Sequence, residues 1–182
     1  ITNSFLLPGR SPADSLMSIS LTSRDETYHI NESLFYLEDE KGVLSFEDVT
    51  KPEFSNQFVK STNKKLNFGF NRSAFWFMFQ IENMEPEIND WQLEIEDEHI
   101  DSIDFYYMND ECKWERKRYG EMYPFSQREW ESRTFIIPLD LHELQIKKYY
   151  LRLRTQGTLH FDVNIHREKE CLRKVIRTDT YY

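Results

Sequence analysis

The chain carries 32 Asp and Glu residues among 182, so paired carboxylates are the first chemistry to consider. Cleavage of a glycosidic bond needs two carboxyl groups at a set separation, one of them with a raised pKa. In "WQLEIE" (91–96), Glu94 and Glu96 share a face at period two, with Asp101 and Asp104 close by. Nothing in the sequence marks any of them as buried, and a solvated outer sheet face accounts for them. Nucleophile patterns are missing: there is no G-x-S-x-G, no cysteine and histidine at a known spacing, and no glycine-rich phosphate loop. The chain is read as a non-enzyme, with a glycosidase-like activity on Glu94 and Glu96 as a third hypothesis. The histidines (His29, His99, His142, His160 and His166) are scattered. His160 and Asp162 share a strand face that two metal ligands could use, but such a pair is also ordinary surface. Cys112 and Cys171 fit no metal spacing. They are read as unpaired thiols, with a bridge between them left open because sequence does not show their separation. No metal or cofactor is expected.

A more informative set is aromatic and guanidinium. In "AFWFMFQI" (74–81), Phe75, Phe77, Phe79 and Ile81 share one strand face and Trp76, Met78 and Gln80 the other. If the phenylalanines point inward, Trp76, Tyr106, Tyr150, Arg152, Arg154 and His160 all point away from the core. An aromatic ring can stack on the apolar face of a sugar while Arg donates planar hydrogen bonds. These six are the candidate ligand-binding residues. The competing expectation is that Trp76 is covered by a loop or by helical turns at 46–58, as large side chains on central strands usually are.

The elements that must position this set also read at period two. The segments are "LMSISL" (16–21), with Met17, Ile19 and Leu21 on one face, then 91–96, "SIDFYYM" (102–108), "RTFIIPL" (133–139), "YYLRLRT" (149–155) and "LHFDVNI" (159–165). Alternation of this kind marks half-buried antiparallel strands. About eight or more such strands, separated by polar connectors, define an all-β sandwich with Greek-key crossings. Two stretches differ. "SFEDVTKPEFSNQF" (45–58) opens with a Ser45-x-x-Asp48 capping pattern and places Phe54 and Phe58 four apart, which predicts one or two short helical turns over one end of the sandwich. "HREKECLRKVIRTDTYY" (166–182) places Leu172, Val175 and Ile176 at helical spacing and predicts a helix leaving the domain.

Composition bounds the partners. A formal net charge of −9 repels phosphate backbones, so nucleic acid is excluded as a partner. No segment approaches the ~18 apolar residues that cross a bilayer. The chain starts at Ile1, and it is read as a piece of a longer protein from which a leader could have been removed. Aromatic residues make up 15% of it, so Phe, Tyr and Trp supply most of the core area.

The order "YLEDEKGVLSFEDV" (36–49), "LNFGFNRSAFWFMFQIEN" (66–83), "WQLEIEDEHIDSIDFYYMND" (91–110), "YGEMYPFSQREWESRTFIIPLDL" (119–141) and "YYLRLRTQGTLHFDVNI" (149–165) resembles a known family. It is the second type of extracellular sensor domain of bacterial seven-transmembrane receptors with diverse intracellular signalling modules (7TMR-DISM). The resemblance covers residues 30–165 and implies a jelly-roll sandwich similar to carbohydrate-binding modules. It further implies a periplasmic or extracellular input domain that is not catalytic, with carbohydrate as the suspected ligand class. The partners it implies are a small-molecule ligand and the parent chain's transmembrane helices; a homodimer is a separate expectation. Residues 1–29 then form a lead-in with the first strand. Residues 166–182 form a linker or helix that ends, at Tyr181 and Tyr182, just before a first membrane helix of the parent. Departures from the family pattern at "EDEH" (96–99), "CKWERKRYG" (112–120) and "HELQIKK" (142–148) are read as loop changes. The alternative function is a protein-interaction or dimerisation module presenting Tyr106, Trp114 and Trp130 as an apolar surface.

Overall fold

The computed structural model describes residues 16–85, 87–142 and 145–179. The expectations for residues 1–15, for Pro86 and for Tyr181 and Tyr182 lie outside the described residues. Two antiparallel sheets face each other across one core, with successive strands passing between them as in a jelly roll. The first sheet runs, edge to edge, β4 (Val59–Lys60), β3 (Phe35–Asp39), β6 (Ala74–Asn83), β11 (Ile146–Arg154), β8 (Ser102–Met108) and β9 (Trp114–Tyr119). A short β1 (Ile19–Leu21) lies parallel to the end of β6. The second sheet runs β10 (Phe135–Pro138), β7 (Trp91–Ile95), β13 (Val163–Arg167) and β2 (Thr27–His29). A third pair, β5 (Leu66–Phe70) with β12 (Thr158–Phe161), closes one side.

Parity in β6 sets the layers. Phe75, Phe77, Phe79 and Ile81 are fully buried against Leu93, Ile95, Phe161 and Ile165. Burial of side chains this large removes the most water-exposed apolar area per residue and dominates the stability. The opposite face of β6 is buried too. Trp76 and Met78 join Leu16, Phe35, Val49, Phe58, Tyr106 and Tyr150 in a second apolar cluster outside the first sheet. The covering layer is α1 (Phe46–Thr50) and α2 (Pro52–Ser55), followed by Phe58.

The sequence dictates that cover locally. Asp39, buried at the end of β3, accepts the amides of Val43 and Leu44 on its two carboxylate oxygens, at 3.1 and 2.9 Å. Gly42 sits at φ +64°, where a side chain is strained, and donates to the Asp39 carbonyl. Ser45 and Asp48 then form a reciprocal capping box at the start of α1, worth about 1 kcal/mol. Pro52 begins α2 in the first turn, where its missing N–H costs nothing.

Four expectations are corrected here. Met17 is exposed and outside β1; only Ile19 and Leu21 of its set reach the core. The segment 159–165 is not one strand: it breaks at Asp162 into β12 and β13 on different sheets, with Leu159, Phe161, Val163 and Ile165 all still buried. Within the charged stretch 112–120, Trp114–Tyr119 form an edge strand rather than a loop, paired along β8. Finally, α3 (Glu168–Asp179) does not simply leave the domain. Cys171 is fully buried, and Lys174 reaches back to the second sheet. Cys112 is exposed, and both cysteines are free thiols. Among the described residues no helix is long and apolar enough to cross a membrane.

Candidate functional site

Strand register assembles the outer face of the first sheet into two cross-strand rows. One runs Leu37, Trp76, Arg152, Asp104 and Arg118 across β3, β6, β11, β8 and β9. The next runs Phe35, Met78, Tyr150, Tyr106 and Arg116 across the same strands. Side chains directly opposite on one sheet face lie close enough to interact. The rows are thus apolar on the β3 side and charged on the β9 side, with Trp76 and Tyr106 at the boundary.

A cavity of about 430 Å³ opens over that boundary. Its floor is Trp76, Asp104, Tyr106 and Arg152; one wall is Leu44–Glu47 and the other Trp114–Arg116. Phe46 fills its inner end. The Phe46 ring stacks on Tyr106, with centroids 4.3 Å apart and planes 7° apart, and meets Trp114 and Tyr150 edge-on. The Arg152 guanidinium lies 5.8 Å from the Trp76 ring centre and donates to the Gly42 carbonyl at 3.1 Å.

Two buried donors in this floor have no hydrogen-bond partner among the described residues: Trp76 Nε1 and Arg152 Nε. A buried polar group without a partner costs about 1–3 kcal/mol. Trp76 itself has no exposed surface, so a partner reaches its N–H only when the side chains that cover it shift. Asp104 is approached by three guanidinium groups, Arg118 at 3.6 Å, Arg116 at 3.8 Å and Arg152 at 3.9 Å. Each separation exceeds a hydrogen bond, so these are loose ion pairs. Burial holds the Tyr106 hydroxyl above its ordinary pKa, and the neighbouring Arg116 works against that shift.

The structure divides the six candidate residues. Trp76, Tyr106 and Arg152 line the one cavity. Tyr150 is buried beside it under Phe46 and Phe58. Arg154 is exposed, and its guanidinium stands with that of Arg152 beside Gly42. His160 belongs elsewhere: it is exposed on β12 and lines a different cavity of about 800 Å³. Trp76 and Tyr150 have the outward parity expected of them, and Trp76 is covered on the side of the helical turns at 46–58, the competing expectation for it. Phe46, Asp104, Trp114, Arg116 and Arg118 were not among the candidates. Period two in "WERKR" (114–118) puts Trp114, Arg116 and Arg118 on one face, a signal lost when the stretch is read as a loop.

The second cavity has its own buried charge. Glu94 is almost fully enclosed, contrary to the solvated face expected of it. Its carboxylate accepts from Thr134 Oγ1 at 2.8 Å and Lys174 Nζ at 2.7 Å, and lies 2.8 Å from His166 Nε2. Burial alone would raise its pKa, but the hydrogen bonds from His166 and Lys174 outweigh that and lower it to about 2. Lys174 also donates to Glu96 at 2.7 Å. Ligand atoms of Glu94, Glu96 and His166 lie within 4.8 Å of one another, as a metal site would need. The Lys174 ammonium stands among them, so the group is an ion-pair network that ties α3 to the second sheet.

The model of the family described as 7TMR-DISM extracellular 2 matches residues 31–167. The chain belongs to this family, the extracellular sensor domains of 7TMR-DISM membrane receptors. No curated protein matches the chain.

Proposed function

We propose that the domain senses a small polar ligand held in the cavity between the Leu44–Glu47 segment and the outer face of the first sheet, and that carbohydrate is the ligand class. One observation carries the reading. The two buried donors without partners, Trp76 Nε1 and Arg152 Nε, lie in the floor of one cavity whose walls are the aromatic rings Phe46 and Trp114. Sites for small polar ligands combine apolar walls with a few placed polar groups. A pyranose offers an apolar face to Trp114 and acceptor oxygens to the floor. Occupancy displaces Phe46 from Tyr106 and moves α1, which gives the domain two states that a receptor could report by a population shift.

The alternative, an apolar dimerisation surface of Tyr106, Trp114 and Trp130, loses Tyr106, which is 9% exposed beneath Phe46. The test is a thermal-stabilisation screen of soluble mono- and oligosaccharides, run on the wild type and on Trp114→Ala. Trp114 suits it better than Trp76 because it lines the cavity at 36% exposure, so its removal leaves the core intact. A stabilising saccharide that loses its effect in Trp114→Ala supports the reading; equal stabilisation of both proteins refutes the placement.

A further inference from the structure

We infer that the ligand carries an oxyanion, a carboxylate or a sulfate, and that Arg116, Arg152 and the Trp76 N–H hold it. This rests on the cavity being the ligand site. Three guanidinium groups surround the single carboxylate of Asp104 at 3.6–3.9 Å, so three positive charges against one leave a local excess of two. Glu47 and Glu115 also line the cavity and keep their charges, but among the described residues neither forms an ion pair with these three guanidinium groups. Both oxygens of Glu115 are turned to other partners, accepting from Tyr107 Oη and Asn109 Nδ2 at 2.6 Å each. Glu47 is exposed on the first turn of α1, at the rim.

The chemistry of the floor agrees with the charge. The two groups there without partners, Trp76 Nε1 and Arg152 Nε, are both donors. A neutral hydroxyl can accept from these N–H groups, but it also carries a proton that needs an acceptor of its own. An oxyanion brings only acceptors, and hydrogen bonds to it from guanidinium groups are about twice as strong as neutral ones. Arginine's planar fork suits carboxylate and sulfate alike. The long separations from Asp104 let the guanidinium groups turn N–H groups toward an incoming anion without breaking a tight ion pair, while Arg152 keeps its hydrogen bond to the Gly42 carbonyl and Arg116 its bond to Tyr106. Above the anion, Trp114 and the position held by the Phe46 ring offer stacking surfaces. The ligand class that fits is an acidic sugar, with a uronate or a sulfate ester as its anionic group.

The test uses the 182-residue chain labelled with ¹⁵N. The indole N–H signal of Trp76 is assigned by its loss in Trp76→Phe, and glucuronate, glucose and inorganic sulfate are titrated separately. The expected result is a saturable shift of the Trp76 signal with glucuronate and none with glucose over the same range. Arg116→Gln and Arg152→Gln, each checked for an unchanged fold by its spectrum, should weaken the glucuronate response by about tenfold or more. A shift with sulfate alone supports the oxyanion but assigns it to a free anion rather than a sugar acid. Glucose acting as strongly as glucuronate, with both arginine variants indifferent, overturns the oxyanion and leaves the cavity as the site. Silence of the Trp76 signal with all three probes overturns both.

Discussion

Trp76 and Arg152 stand opposite each other on β6 and β11, the guanidinium 5.8 Å from the indole ring centre, and each keeps one buried N–H without a partner among the described residues. The pair joins the apolar cluster under α1 and α2 to the charged end of the same sheet face. Its energetics separate packing from hydrogen bonding. Trp76→Ala removes a fully buried ring and should cost about 3–5 kcal/mol. Trp76→Phe keeps most of the packing and loses a hydrogen bond that is not made, so it should cost less by about 2 kcal/mol or more. Urea unfolding monitored by circular dichroism gives both values; equal losses would mean that the indole N–H has a partner.

Phe46 is half-buried and holds its place by stacking on Tyr106. Phe46→Ala should cost about 1–3 kcal/mol, the loss of one aromatic pair and partial burial. The same change should tighten binding of any ligand that uses the cavity, because the ring it must displace is gone. Stability by denaturation and affinity by calorimetry check the two signs, and weaker binding would show that Phe46 contacts the ligand instead.

Glu94 gives a pH dependence with a defined sign. Its folded pKa is lowered from 4.5 to about 2, so its contribution is fully present above about pH 4.5 and is lost as pH falls toward 2. The size of that contribution is on the order of 3 kcal/mol. Glu94→Gln should flatten this acid limb while lowering stability at neutral pH, since Lys174 loses its buried anion. Stability curves of wild type and variant between pH 2 and 7 check it; parallel curves would place the acid sensitivity elsewhere.

Lys174 should act through the helix. It ties α3 to Glu94 and Glu96 on β7 and its continuation, so Lys174→Met should loosen α3 from the second sheet while the sandwich stays folded. Increased amide exchange along 168–176, without change in β6, is the expected pattern; unchanged exchange there would mean that Cys171 and the apolar contacts suffice.

Gly120 tests a backbone constraint. Its φ is +126°, and a Cβ there would lie 2.3 Å from the Asp101 carbonyl oxygen. Gly120→Ala must therefore displace the backbone where β9 ends. A drop in melting temperature is expected, well beyond that of a surface substitution; a wild-type melting temperature would contradict the geometry.

Much of this fold is legible along the chain because period two is a local signal. The Phe75–Ile81 face, the Ser45–Asp48 capping box and the short helical turns that follow it can be read from spacing. What the spacing does not show is which strands become neighbours. Asp104 reads as one acid among many until β11 and β9 bring Arg152 and Arg118 to its two sides. Glu94 reads as a surface residue until β13, which sets Asn164 opposite it, brings the diagonal neighbour His166 to 2.8 Å and α3 folds back with Lys174. His160 has the parity of the binding face but lies on β12, outside the first sheet. In each case the decisive contact joins residues far apart in sequence, and parity alone does not fix it.

The central claim is that the ligand lies under the Leu44–Glu47 segment. The most direct measurement is the change in the ¹H–¹⁵N amide spectrum when the labelled domain is saturated with a saccharide that stabilises it. The account predicts perturbations concentrated at 42–47, 104–106 and 114–116, with the Trp76 indole signal among them. Perturbations concentrated instead at 94–99, 131–134 and 174–175, around the larger acidic cavity, would contradict it.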